Sequence, residues 1–242
     1  MRSTEGMASR WIIPDVHGCV KTLQALVEKQ LQLRKFDALY LLGDYIDRGP
    51  DGKAVLDYLM DLQDAEYQIF PIKGNHEAMC VDAFRADQKK RLFGGKSLEQ
   101  RQWEQVGAKE TLLSFGVRHP REIPQKYIDW MEACLPYVEL ESYVLVHAGM
   151  NVDAENPFDD TDSMLWTRSF KVDFEKSHGK KVIHGHIPCD LSFIDLVIKE
   201  NERYDFVILD NGVFVTDLPG YGNLLAYNVD TKELVVQSNL DM

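Results

Sequence analysis

The chain has 242 residues, 45% of them hydrophobic, which is enough for a substantial buried core and too apolar for a disordered tail protein. Its 27 Lys and Arg against 39 Asp and Glu leave a formal net charge of -12, the wrong sign for holding nucleic acid through a general basic field, so any anionic substrate has to be captured locally. Cys19, Cys80, Cys134 and Cys189 are widely spaced without a CxxC pair and read as reduced. No apolar run nears the roughly 20 residues that span a bilayer, and residues 1–10 lack the apolar core of a signal peptide, so a cytoplasmic protein without membrane or nucleic-acid partners is expected.

In chain order, residues 11–13 read as a strand ending at Pro14 and Asp15, and Leu23, Leu26, Val27 and Leu31 follow at helical spacing. Residues 39–42 form a second strand pattern, 43–50 a loop, and Val55, Leu56, Leu59 and Leu62 a helix announced by Pro50 and Asp51. A third unit starts at 68–72 and breaks at Lys73 and Gly74. Three successive strand-loop-helix units predict a largely parallel sheet with right-handed crossovers, and polar residues crowd the loops where such sheets place their sites. Residues 78–135 turn charged and helical, with a capping box at Ser97 and Gln100 and a further helix over 124–134; they read as a helical cap inserted over the site. From Tyr143 onward strand patterns dominate, at 143–146, 181–183, 206–209, 224–227 and 233–237. No boundary or linker interrupts the pattern, so one domain over 1–242 is expected.

Polar residues recur at the strand ends. Asp15 and His17 are separated by one residue, which puts both side chains on one face if the chain is still extended. Asp44 and Asp47 follow the second strand in Gly43-Asp44-Tyr45-Ile46-Asp47-Arg48-Gly49, and the third gives Gly74-Asn75-His76-Glu77. His147 follows a fourth strand, and His184 and His186 flank Gly185 after a fifth. Singly, a post-strand Asp is often an Asx turn and a lone His a packed one. Five strand ends that each place Asp, Asn or His beside Gly point jointly to a mixed oxygen and nitrogen metal site.

These blocks, with His147-Ala148-Gly149 and Gly185-His186, resemble the signature series of the calcineurin-like metallophosphoesterases and, more narrowly, the bacterial form of the phosphoprotein phosphatase (PPP) family, over about residues 11–228. The resemblance implies an α/β four-layer αββα sandwich with a helical cap insertion. It implies that Asp15, His17 and Asp44 hold one divalent metal ion and Asp44, Asn75, His147 and His186 a second, with Asp44 as the bridge. Arg48 and Arg168 look like the family's phosphate-clamping arginines, and Asn75 also faces the phosphate. By the same resemblance, a metal-bridging hydroxide attacks phosphorus directly, His76 protonates the leaving oxygen, and Asp47 orients His76. Mn2+ is the metal the resemblance favours, with Fe2+ and Zn2+ suited to the same ligands. His184 ranks below His186 as a ligand.

The substrate it implies is a phosphorylated protein, on serine, threonine or tyrosine, or a small phosphoester. The second reading is a symmetrical dinucleoside tetraphosphate (Ap4A) hydrolase or other nucleotide phosphohydrolase, for which Phe84, Phe93, Trp103, Arg85, Arg91 and Arg101 could offer stacking and cationic groups, though ordinary helix packing also accounts for them. A phosphate-binding scaffold without activity requires a lost ligand, arginine or acid, and none is missing. Departures from the family pattern are Pro14 before Asp15, Ile187 after His186, Ala108 in place of a second glycine, and Asp210-Asn211-Gly212 where Asp-Thr-Gly is frequent; the last is expected on the substrate-facing rim. Asp153, Glu155, Asp159, Asp160 and Asp162 lack EF-hand spacing and read as a solvated loop.

Overall fold

Strand residues of this protein alternate between two apolar environments, and that alternation sets its layers. The computed structural model describes residues 8–89, 95–169 and 171–242; Arg91 and Phe93 lie outside the described residues, as do residues 1–7. The strands are β1 (Arg10–Ile13), β2 (Ala38–Leu41), β3 (Gln68–Pro71), β4 (Tyr137–Glu139), β5 (Tyr143–Val146), β6 (Lys181–His184), β7 (Phe206–Ile208), β8 (Asn223–Asn228) and β9 (Leu234–Ser238). They form a five-stranded sheet of order β3-β2-β1-β8-β9 and a four-stranded sheet of order β4-β5-β6-β7. Ile12, Tyr40, Leu225 and Tyr227 of the first sheet share a core with Leu145, Ile183 and Val207 of the second. Their alternating neighbours Trp11, Ile13, Leu39, Leu41, Leu224 and Ala226 join a separate helix-covered core, and Val144, Val146 and Val182 pack with Phe158 and Met164.

The helices are α1 (Val20–Gln24, continuing as a π-helical stretch over Ala25–Gln30), α2 (Gly52–Asp64), α3 (Asn75–Gln88), α4 (Leu98–Glu104), α5 (Ala108–Ser114), α6 (Gln125–Ala133), α7 (Thr161–Trp166) and α8 (Leu191–Lys199). Asp51 caps α2 by accepting from the Ala54 amide at 2.9 Å, and the Ser97–Gln100 capping box closes in both directions at 2.9 and 2.7 Å. Trp103, Tyr127, Ile128 and Met131 of α4 and α6 are buried in the same core as Leu39 and Leu41. The helical segment is therefore built into the wall of the first sheet, beyond lying over its edge.

The expected four-layer αββα arrangement stands, with two mixed sheets at its centre: β1, β2 and β3 are parallel, as their strand-loop-helix pattern predicts, and so are β5, β6 and β7, but β8 and β9 return antiparallel beside β1, and β4 pairs antiparallel with β5. All five strand patterns read after Tyr143 appear, as β5 to β9, and α7 and α8 lie between them, two helices that the strand reading did not mark. Leu191, Ile194, Val197 and Ile198 recur at helical spacing, with Ile194, Val197 and Ile198 buried, which is the pattern of α8. Within the acidic stretch, Asp160 caps α7 by accepting from the Ser163 amide at 3.1 Å.

Candidate metal centre

The loops after β1, β2 and β3 stack on one another before any side chain is considered. A Cβ on Gly74 would stand 2.2 Å from Asp44 Oδ1, and one on Gly185 would stand 2.1 Å from Asp15 Oδ1, so these two positions admit only glycine. Five of the nine described non-glycine residues with positive φ lie in the loops of the site: His17, Asp44, Asp47, Arg48 and His186, at 44° to 69°. Such backbone costs of the order of 1–3 kcal/mol per residue and persists where the surroundings over-determine it.

Glu77, buried on the first turn of α3, supplies much of that constraint. Its carboxylate accepts from the amides of Asp44 (2.8 Å), Tyr45 (2.8 Å) and Gly74 (3.0 Å), tying the β2 and β3 loops together. Burial, and then the Asp44 charge, push its pKa up to about 7. Asp47 is saturated in the same way. Its Oδ2 accepts from His76 Nδ1 at 2.7 Å and from Trp103 Nε1 at 2.7 Å, and its Oδ1 accepts from Thr111 Oγ1 at 2.5 Å. With Nδ1 donating, the Nε2 lone pair of His76 is left 3.8 Å from Asp44 Oδ2.

The other imidazoles are held in the same sense. His17 Nδ1 faces the Ile46 carbonyl at 3.0 Å and His147 Nδ1 the Leu42 carbonyl at 2.8 Å, so each ring donates there and keeps its Nε2 lone pair. These lone pairs lie 3.7 Å from Asp44 Oδ2 and 3.5 Å from Asp44 Oδ1. His147 Nε2 is also 2.9 Å from Asn75 Oδ1 and 3.1 Å from His186 Nδ1, and Asn75 Oδ1 is 3.0 Å from His186 Nδ1. Electron-pair donors thus converge with too few protons to bridge them.

That crowding is the fit test for metal ions, and the donor set passes it. Two groups bring their donor atoms within 4.8 Å of one another, His17 with Asp44 and His76, and Asp44 with His147 and His186, so Asp44 belongs to both. Asn75 Oδ1 joins the second. Neither group includes Asp15, whose carboxylate accepts from the His186 amide at 3.0 and 3.2 Å. Burial, then the Asp210 and Asp44 charges, raise the pKa of Asp15 well above the ordinary carboxylate range. Asp44 moves the other way, since the His147, His76 and His17 rings outweigh its burial. Burial lowers His17 and His186 to about 3 and His184 to about 4, which keeps these rings neutral, as ligation requires. His76 is raised, because Asp44 and Asp47 overcome its burial.

His184 lies outside both donor groups, its Nδ1 3.1 Å from the Gly185 carbonyl oxygen. Arg48 and Arg168 are exposed, and neither side chain has a carboxylate partner among the described residues. Both are close enough to act on the site, since Arg48 depresses His17 and Arg168 depresses His186. The Arg48 guanidinium lies over the Phe214 ring at 4.5 Å, and that ring meets His17 edge-on at 4.9 Å.

Sequence reading missed the roles of Glu77, Trp103, Thr111 and Phe214, and it misplaced Asp210. Instead of lining a rim, Asp210 is 1% exposed, and its charge raises the pKa of Asp15. The chain leaving β7 carries it inward. Its Oδ2, like His186 Nε2, is buried without a hydrogen-bond partner among the described residues. Trp103 and Phe84, which could have stacked on a nucleobase, are buried, and Arg85 is paired with Glu132 at 2.5 Å.

Comparison with known protein families matches residues 9–215 to the one described as calcineurin-like phosphoesterase. Among curated relatives, the chain is 37% identical over 87 residues to the symmetrical bis(5'-nucleosyl)-tetraphosphatase of Buchnera aphidicola subsp. Acyrthosiphon pisum (strain Tuc7), covering 35% of this chain and 31% of that protein. It is 39% identical over 74 residues to serine/threonine-protein phosphatase 2 of Escherichia coli (strain K12), covering 31% of this chain and 32% of that one. The matched stretches thus span about a third of the length of each relative. A solved protein serine/threonine phosphatase from Saccharomyces cerevisiae superposes with a TM-score of 0.57 at 14% identity, over 97% of this chain and 80% of that chain.

Proposed function

The chain belongs to the calcineurin-like phosphoesterase family, and from that premise we propose that it is a phosphomonoester hydrolase of the phosphoprotein phosphatase type, with Mn2+ as its supporting metal. The observation that carries this reading is the meeting of imidazole and carboxylate lone pairs around Asp44, beside two arginines without carboxylate partners. In the proposal, Asp15, His17 and Asp44 hold one divalent cation and Asp44, Asn75, His147 and His186 a second. Such a pair, when bound, supplies Lewis acidity that makes hydroxide available near neutral pH and offsets charge on phosphoryl oxygens. Arg48 and Arg168 grip those oxygens with planar guanidinium forks, suited to a phosphomonoester dianion in an otherwise acidic protein.

His76 delivers the proton to the leaving oxygen from Nε2. Asp47 accepts from Nδ1, keeps the ring in one orientation and stabilises its charged form. Asp47 is itself fixed by Trp103 and Thr111, so the helical segment that carries them supports the acid. The second reading, cleavage of a dinucleoside tetraphosphate, draws support from the relative of that name. Against it stand the burial of Trp103 and Phe84 and the engagement of Arg85 with Glu132.

The test is a Mn2+ titration of metal-free protein against p-nitrophenyl phosphate, run in parallel with a phosphopeptide and diadenosine tetraphosphate, with products identified. The proposal expects metal-dependent release of inorganic phosphate from the first two. ADP from the third as the fast reaction would replace it with the nucleotide reading, and silence across Mn2+, Fe2+ and Zn2+ would overturn hydrolysis altogether.

A further inference from the structure

A cleft of about 320 Å3 opens between α3, α4 and the end of α7. Three links in the chain tie it to the phosphate end of the candidate site. Met79 lines it one helical turn beyond Asn75 and His76. Val106 lines it next to Gly107, where an added Cβ would stand 2.8 Å from the Arg48 amide nitrogen. Trp166 lines it two residues before Arg168 and leaves 48% of its surface exposed.

The chemistry of the lining narrows the occupant. Met79 and Val106 are half-buried, Asp82 and Glu99 are exposed, and among the described lining residues none is Lys or Arg. Asp82 makes no ion pair with any described residue. A leaving group that carries further phosphates meets the Asp82 carboxylate here, with no Lys or Arg among the described lining residues to offset the repulsion. An aromatic ring meets the half-exposed Trp166 indole and the polarizable Met79 thioether, a pairing favoured by both quadrupole and dispersion.

We infer that this cleft receives the group esterified to phosphorus and selects an aryl leaving group, uncharged or cationic, over a polyphosphate. The inference rests on the phosphomonoester reading above and adds to it the substrate class. Trp166 is then the specificity-determining residue, Met79 and Val106 form its apolar complement, and Asp82 supplies the charge discrimination.

The test uses the full chain loaded with Mn2+, with p-nitrophenyl phosphate and phosphotyrosine as aryl esters, O-phosphoserine as the alkyl ester and diadenosine tetraphosphate as the polyphosphate. For Trp166→Ala the ratio of aryl to alkyl kcat/KM falls about 3- to 10-fold, the range for one aromatic pair, chiefly through KM. Trp166→Phe restores most of that ratio. Asp82→Lys raises turnover of the tetraphosphate relative to the aryl esters. Inhibition by inorganic phosphate, which reports on the arginines, stays with the wild-type value in Trp166→Ala. Equal losses for aryl and alkyl esters, or no loss, would overturn the cleft inference while leaving the phosphomonoester reading intact. A wild-type protein that neither cleaves any ester nor is bound by phosphate would remove both.

Discussion

On the first sheet, the acidic side chains that shape the loops are fully engaged: Glu77 accepts from three backbone amides, and Asp47 accepts from His76, Trp103 and Thr111. On the side of the second sheet, two buried polar atoms facing them are left open. His186 Nε2 and Asp210 Oδ2 are buried with no hydrogen-bond partner among the described residues. An open buried polar atom costs on the order of 1–3 kcal/mol, so it persists where something else meets it. The difference separates framing from binding. Glu77 and Asp47 hold the strained loops in place, while both sheets present donor atoms, His17, Asp44 and His76 from the strand ends of the first and His147 and His186 from those of the second, with Asp44 common to the two groups.

The comparison breaks most completely at Asp44, which both donor groups share. Asp44→Asn should lower kcat/KM on the order of 10³-fold, the scale of losing a major electrostatic stabiliser of a phosphoryl transition state; steady-state assays across added Mn2+ check this, and activity near wild type would contradict the shared role. His76→Asn sharpens the boundary between frame and chemistry. Its kcat should fall about 10²- to 10⁴-fold, as for a lost general acid, with metal content unchanged by elemental analysis. Loss of metal along with turnover would move His76 from the acid role to the ligand set, where its place beside His17 and Asp44 also allows it.

Smaller effects probe the frame itself. Glu77→Gln substitutes an amide that cannot accept from three amides in the same way, so the protein should lose about 1–3 kcal/mol of stability, read as an earlier midpoint in denaturant unfolding. An unchanged midpoint would show that the loops do not depend on that carboxylate. Phe214→Leu should raise KM for p-nitrophenyl phosphate by about 2- to 5-fold, the value of one cation–π contact at an exposed arginine. In an Arg48→Ala background the same substitution should add nothing; a persisting penalty would mean that Phe214 acts through His17 instead.

What sequence reading reached follows the same division. The donors were legible because each sits within a few residues of a strand end, beside glycines whose backbone the loops require. Asp15 with His17, Asp44 with Asp47, and Asn75 with His76 announce themselves as short motifs. Partners distant in sequence were not legible. Trp103 and Thr111 reach Asp47 across 56 and 64 residues, and Phe214 meets Arg48 only once the fold is complete. Asp210 was expected on the rim because nothing local shows that the chain leaving β7 carries it into a buried cluster of carboxylates. Among the elements, the three-residue β4 carries too little pattern to register, and α5 follows Gly107, at φ of 123°, and is only seven residues long. In α8, Leu191, Ile194, Val197 and Ile198 carry a helical spacing that the strand-rich surroundings masked.

The account turns on two cations sharing Asp44. Electron paramagnetic resonance of metal-free protein titrated with Mn2+ tests this directly, without any substrate. Two ions bound per chain with an exchange-coupled signal, replaced by isolated Mn2+ lines in Asp44→Asn, is the predicted result. Wild-type protein that binds no Mn2+, or binds it only as uncoupled single ions, would contradict it.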